Sequence, residues 1–276
     1  MRRLLPEFVV TACRCVAASA LFSSLVSAQD IFYGIDQDGE GDLHLLRILL
    51  VGSIADVTDL GELQYANGAA PLTGVEAAAL DSLGTLWFTG DVNGGSPDHL
   101  YKIESPESSV LAEAVASPLI INNEGIVDAL GLAPFDANRL LITDGPRGGG
   151  NGGGDTYYFN PRNLGDFHDY EGLLAGDGTG IAHFLGANTV YELPGANFLR
   201  RVDLTTRIVT GINPPHDASG NYSSIFSLTE GSDNLLYAYG ANSSGTFLIL
   251  RIRPSDAEVL AIWQPDLPIT SMHTLC

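Results

Sequence analysis

Four short segments of this chain share one pattern: LLRIL at Leu45, LYKIE at Leu100, LRRVD at Leu199 and LILRIRP at Leu248. Each is an apolar, β-prone run with a cation at its middle. Arg47, Lys102, Arg201 and Arg251 fall in matching places, and Tyr158 in YYFNP holds that place in the remaining copy. The successive steps are 55, 56, 43 and 50 residues. The whole chain of 276 residues holds only 13 Lys and Arg, so chance is a poor account of four in register. A cation in mid-strand reads as a solvent-side position, its stem lying on apolar neighbours and its head facing an acid.

A second series runs in step with the first. IFYGID, TLWFTG, RLLITD, TVYELP and LLYAYG each follow a turn, and Phe32, Leu86, Leu140, Val190 and Leu236 are spaced by 54, 54, 50 and 46 residues. A third series precedes it: Val75–Ala78, Ile126–Leu130, Ile181–Leu185 and Ile225–Leu228. With a looser fourth strand per copy, such as Val110–Ala116 or Glu258–Trp263, the pattern is four strands repeated five times. A period near 50 lies in the range of propeller blades, about 40 to 50 residues each. The expected fold is an all-β, five-bladed propeller over residues 29–276. The first copy lacks an innermost strand, and the segment Ile269–His273 is an innermost strand with no copy to follow, so the tail is expected to close the ring on the strand at Ile31. VEAAALDS and VLAEAVAS carry Ala-rich helix propensity, but isolated helices of that length are marginal and the repeat overrides them.

The repeat resembles a broad group of secreted propeller proteins whose units read G-[hydrophobic]-E-x-L-x-x-D-x-x-G-x-L-Y and then L-Y-[KR]-[IV]-D. Here VEAAALDSLGTLWFTGD and LYKIES carry the likeness, which covers most of residues 29–276. These are folding motifs, and they imply architecture rather than chemistry.

Residues 1–28 read as a secretory signal: Arg2 and Arg3, the uncharged run Val16–Leu25, then Val26-Ser27-Ala28 before the expected cut. The run is shorter than the about 20 apolar residues of a membrane span, so no transmembrane segment is expected in the mature chain. Removal takes Arg2, Arg3, Arg14 and Glu7 and leaves 10 basic residues against 32 acidic, a net charge of about −22. The protein is expected outside the cytoplasm, secreted or at the periplasm or cell surface. That acidity disfavours nucleic acid and anionic membranes. Cys276 is the one cysteine left, so no internal disulfide can form.

On a propeller the innermost strands line the axis. Aligning the third series sets Glu76, Asp128, His183, Ser227 and Ser271 at one level, a polar residue per copy. Glu76, Asp128 and His183 are candidate acid–base groups, with Ser227 and Ser271 lining the channel. Five-bladed glycoside hydrolases are similar in outline. Gluconolactonase-like propellers use a Glu on the first inner strand as a metal ligand before Gly-Pro, whereas Glu76 precedes Ala77-Ala78. The stretch Asp36-Gln37-Asp38-Gly39-Glu40-Gly41-Asp42 sets oxygen donors at alternate positions, and Asp36, Asp38, Glu40 and Asp42 are candidate calcium ligands, although Arg47 stands where an EF-hand places its bidentate Glu. Turn chemistry alone also favours Asp and Gly there. No HExxH, phosphate loop or G-x-S-x-G elbow occurs. The leading expectation is a secreted, non-catalytic propeller that binds an extracellular protein, glycan or matrix ligand through loops at one end of its channel. The alternative is an extracellular hydrolase or lyase working through the inner-strand residues.

Overall fold

A computed structural model describes residues 31–92, 95–121, 123–126, 129–145, 156–170, 178–194, 198–222, 224–242, 244–267, 269 and 272–276. Residues 1–28, Asp128 and Ser271 lie outside them. Among the described residues the chain is all-β, with one 3-10 turn at Ala66–Gly68 and no α-helix. The Ala-rich segments are strands, Ala77–Leu80 and Leu111–Ala116.

The strands follow one another as antiparallel meanders. The first is Ile31–Gln37, Leu43–Val51 and Ile54–Glu62. The second is Ala77–Leu80, Thr85–Val92, Gly95–Glu104 and Leu111–Ala116. The third is Ala129–Pro134, Leu140–Asp144, Thr156–Asn160 and Asn163–Asp169. The fourth is Gly178–His183, Thr189–Pro194, Arg200–Asp203 and Val209–Gly211. The fifth is Ser224–Glu230, Leu236–Ala241, Phe247–Ile252 and Val259–Pro265. The C-terminal strand Met272–Leu275 joins the first meander, pairing Gly34 with Leu275 and Ile35 with Thr274. Tyr33 and Cys276 extend that ladder by exchanging main-chain hydrogen bonds of 2.7 and 2.9 Å. The outer strands of the fifth and first meanders also meet, Gln264 beside Ile54, and make one eight-stranded sheet.

The two sequence series become one lattice of cross-strand pairs. Phe32, Leu86, Leu140, Val190 and Leu236 sit opposite Ile48, Ile103, Phe159, Val202 and Ile252, and all ten are buried. One residue along each second strand, Tyr33, Trp87, Leu141, Tyr191 and Tyr237 face Arg47, Lys102, Tyr158, Arg201 and Arg251. An aromatic ring therefore backs each of the four cations across the strand. Lys102 Nζ reaches Glu104 at 2.5 Å and Glu113 at 3.3 Å, and Arg251 reaches Asp233 at 2.5 Å.

The recurring Asp after an inner strand is a turn device. Asp81 Oδ1 accepts the N–H groups of Leu83 and Thr85, while Oδ2 accepts the Trp87 indole N–H at 2.9 Å. Asp136 and Asp233 do the same for Asn138 and Arg139 and for Leu235, and Asp233 also takes the Tyr237 hydroxyl at 3.1 Å. One carboxylate thus closes the turn and anchors the ring behind the cation.

Cores lie between successive meanders. Ile35 and Leu45 pack with Phe88 and Tyr101; Trp87 and Ala79 with Leu132 and Tyr157. Leu141 packs with Val190 and Val202; Ala182 and Leu199 with Leu228 and Leu250; Tyr239 and Trp263 with Phe32 and Ile48. Each large buried side chain contributes roughly 1.5–3 kcal/mol of hydrophobic stabilisation.

Candidate functional site

Each inner strand has a ladder on one side only. Its other side is a row of main-chain donors and acceptors turned towards its counterparts, and buried groups of that kind must find partners. Neighbouring side chains supply them. Ser227 Oγ accepts the Leu275 N–H at 2.8 Å and donates to the Leu275 carbonyl at 3.3 Å. His183 is fully buried, with Nδ1 2.9 Å from the Pro134 carbonyl and Nε2 2.8 Å from that of Ala187. The Glu230 carboxylate accepts the main-chain N–H of His183. Glu76 Oε2 accepts the Ala129 N–H at 3.0 Å.

Between these strands the space is almost filled. Ala77, Gly131, Gly180, Ser227 and Thr274 surround a void of about 10 Å³, room for roughly one water. At Gly180 a Cβ would stand 2.5 Å from the main-chain nitrogen of Leu228, so only hydrogen fits.

Two readings of the site residues need correction. Glu76 and Ser227 both line the void, Glu76 from just before the inner strand Ala77–Leu80, whereas His183 stands away from it and closes the inner strand Gly178–His183. Glu76 and His183 are therefore offset by three to four residues along the strands, roughly 10 Å. The cause is a bulge that recurs near the start of the inner strands. The register slips between Ala129 and Gly131, between Gly178 and Ile181, between Ile225 and Ser227, and opposite Ile35 and Asp36. One extra residue shifts every later side chain by a position, which alignment on polar letters cannot detect. The acidic turn does not gather its donors either. Asp38 Oδ1 accepts the N–H groups of Glu40 and Asp42 at 2.8 and 2.9 Å, and those bonds hold its carboxyl below the usual range. Asp36 is buried in the strand before the turn, while Glu40 and Asp42 are exposed, so the four point to no common centre.

A different acidic group does converge. Glu76, Asp91 and Asp98 bring one oxygen each within 4.8 Å of one another, and Asp98 is fully buried. Asp98 Oδ2 accepts the same Ala129 N–H, at 2.8 Å, that Glu76 accepts. Three carboxylates in this space are the donor set of a hard divalent cation such as calcium. Asp91 and Asp98 escaped the sequence reading because they lie on the second and third strands, where the repeat predicts turn and ladder positions. Close packing assembles the group: Gly90 lets the Gly74 carbonyl approach to where a Cβ would be only 2.0 Å away. His99 beside it donates to or accepts from Ser117 Oγ at 2.7 Å, and burial pulls its imidazole pKa down against the opposing influence of Asp91.

The same end of the inner strands, where they start, carries further buried acids. Asp144 is 1% exposed, and Glu192 is 4% exposed with its pKa pushed up to about 7 by desolvation against the opposing charge of Arg200. Phe226 is the extra residue of the bulge in the fifth meander. Its ring, 41% exposed, leans on Tyr239 and Phe247. Aromatic and carboxylate side chains thus stand together at one end, and the opposite end is closed by His183, Glu230 and Cys276.

No protein-family profile matches the chain, and no curated protein matches it in sequence. Solved structures resemble it in outline. They include glutaminyl cyclase of Myxococcus xanthus, at 15% identity and TM-score 0.45 over 69% of this chain and 70% of that one. The WD40 domain of coronin from Toxoplasma gondii matches at 10% identity and TM-score 0.43 over 86% and 59%. Apo AztD from Citrobacter koseri matches at 11% identity and TM-score 0.38 over 88% and 61%. The chain thus spans about three-fifths of the latter two. The class is an all-β, propeller-like protein, a statement that rests on the strand pairing described above.

Proposed function

We propose that the mature chain, freed of a signal peptide ending near Ala28, is a secreted five-bladed propeller. It binds an extracellular protein or glycan at the end of the axis where Glu76 and Phe226 lie, without turning that ligand over. Five cores, each shared by consecutive meanders and the last shared with the first, support the blade count. The observation that carries the binding role is the close approach of the inner strands: among the described residues the space between them is about 10 Å³, and His183 and Ser227 are engaged by main-chain groups. What remains open to a partner at that end is surface, with an exposed ring at Phe226 that suits a sugar face or an apolar side chain.

The test is an array of extracellular polysaccharides and secreted proteins probed with the labelled mature chain. Binding that falls at least tenfold in Phe226→Ala, with Tm preserved, supports the reading. The alternative, a hydrolase or lyase, draws on the convergence of Glu76, Asp91 and Asp98. It predicts product release from those ligands that disappears in Glu76→Gln, and that result would replace the binding role.

A further inference from the structure

The outer strands differ in how their free edges are treated. Ile54–Glu62 is paired by Gln264 and Pro265, and Leu111–Ala116 by Gln64 and Tyr65. Asn163–Asp169 ends its sheet but carries Asp166 and Asp169, charges that discourage a further strand. Val209–Gly211 also ends its sheet, and all three of its residues are exposed. It is flanked by an apolar and basic sequence: Arg207 precedes Ile208, which is 60% exposed, and Val209 is 45% exposed.

Its ladder shows which groups face outward. Asp203 donates to the Ile208 carbonyl at 3.1 Å, Thr210 stands opposite Arg201, and Ile212 donates to the Leu199 carbonyl at 2.8 Å. These rows engage residues 208, 210 and 212. Val209 and Gly211 alternate with them, so their N–H and C=O groups point away from the sheet.

Beside this edge lies an open groove of about 580 Å³. Its floor is the cross-strand row Tyr191, Arg201 and Thr210, and its wall is Pro254 and Asp256. Asn213 closes one end, its Nδ2 donating to the Asp256 carbonyl at 3.3 Å. The flanking cations are engaged, Arg200 with Glu192 and Arg253 with Asp256 and Glu258. Arg201 forms no such ion pair among the described residues. After the main-chain bond from Thr206, its charge helps hold the Asp203 carboxyl below the usual range without a direct ion pair, and it stands in the groove beside the open strand edge.

We propose that the edge Val209–Gly211 and this groove receive an extended peptide segment of a partner protein, which adds a strand to the sheet and sets one carboxylate against Arg201. Main-chain bonds to Val209 and Gly211 supply affinity, and the carboxylate supplies register. The negative field of the rest of the molecule restricts the segment to a single acid among apolar and hydroxyl residues, since a run of acids would be repelled. The surface lies at the outer rim, so its occupancy does not depend on what binds beside Phe226.

The probe is a blocked, dye-labelled heptapeptide alternating Thr and Val around a central Glu, with a second peptide carrying Lys in place of Glu. Fluorescence anisotropy with residues 29–276 is expected to show saturable binding of the Glu peptide. It should weaken at least tenfold for the Lys peptide, for Arg201→Glu and for Val209→Pro. Proline is tolerated on an edge whose N–H faces out, so Val209→Pro removes the donor and spares the ladder. Hydrogen exchange on the unsubstituted protein gives a readout independent of the variants: the amides of Val209 and Gly211 should slow when the Glu peptide is added. Absence of binding, equal binding of the two peptides, or unchanged exchange at those amides overturns the proposal. So does sedimentation showing that the edge pairs with a second copy of the chain.

Discussion

Replacing His183 separates a structural role from a catalytic one. The imidazole is fully buried, bridges the carbonyls of Pro134 and Ala187 and stacks on Phe135 with ring centroids 5.0 Å apart. An uncharged imidazole carries one N–H, so His183→Ala removes one donated hydrogen bond and leaves a sealed carbonyl without its donor, a cost of about 1–3 kcal/mol. Loss of the ring contact adds about 0.5–1 kcal/mol. The sum is about 1.5–4 kcal/mol. For a domain spanning Ile31–Cys276 each kcal/mol corresponds to roughly 2–4 °C, so Tm should fall by about 3–16 °C. Differential scanning calorimetry at neutral pH measures it, and exchange at the main-chain amides of the fourth inner strand should quicken in the same variant. A drop below about 2 °C would refute the assignment of His183 to the ladder edge and reopen a chemical role. Ligand binding at the Phe226 end should survive in the folded fraction, because His183 stands at the other end of the strands.

Two further outcomes follow from the same geometry. Glu230 has its pKa pushed up to about 7 by desolvation, and its Oε2 is sealed from solvent without a hydrogen-bond partner even though the residue as a whole is half-buried. A carboxyl whose folded pKa lies above its unfolded value of 4.5 favours the folded state most at low pH, and that advantage is lost as pH rises from about 4.5 through about 7. Glu230→Gln should therefore match the parent Tm near pH 4.5 and exceed it above pH 7, by at most about 3 kcal/mol; a lower Tm at pH 8 would contradict it. Asp38→Ala should lower Tm through loss of the turn bonds to Glu40 and Asp42, equally with and without calcium. A calcium-dependent difference in Tm would restore the metal role of that turn.

Much of the architecture was legible because it depends on spacing. Arg47, Lys102, Arg201 and Arg251 recur where a second-strand aromatic or its equivalent recurs, and any sheet that pairs those strands must set them opposite one another. The closing strand was legible for a related reason: the first copy lacked one strand and the tail had one to spare, and Gly34 indeed pairs with Leu275. The level of each inner-strand side chain was not legible. It depends on one-residue bulges, at Phe226 and its counterparts, that leave composition and period unchanged while moving side chains along the axis.

The amino-acid order alone determined the all-β class, the repeat and the ring-closing tail, since period and strand count are read from spacing, and a first copy short of one strand leaves its partner to the tail even though Gly34 and Leu275 are far apart in sequence. Tertiary structure alone decided how closely the described inner strands approach and that His183 and Ser227 face main-chain groups. It also decided that Glu76 meets Asp91 and Asp98 rather than His183. Those outcomes depend on how closely non-adjacent backbones approach, at Gly90 and Gly180 above all, and a distance of that kind is set by the packing of whole sheets rather than by any one segment.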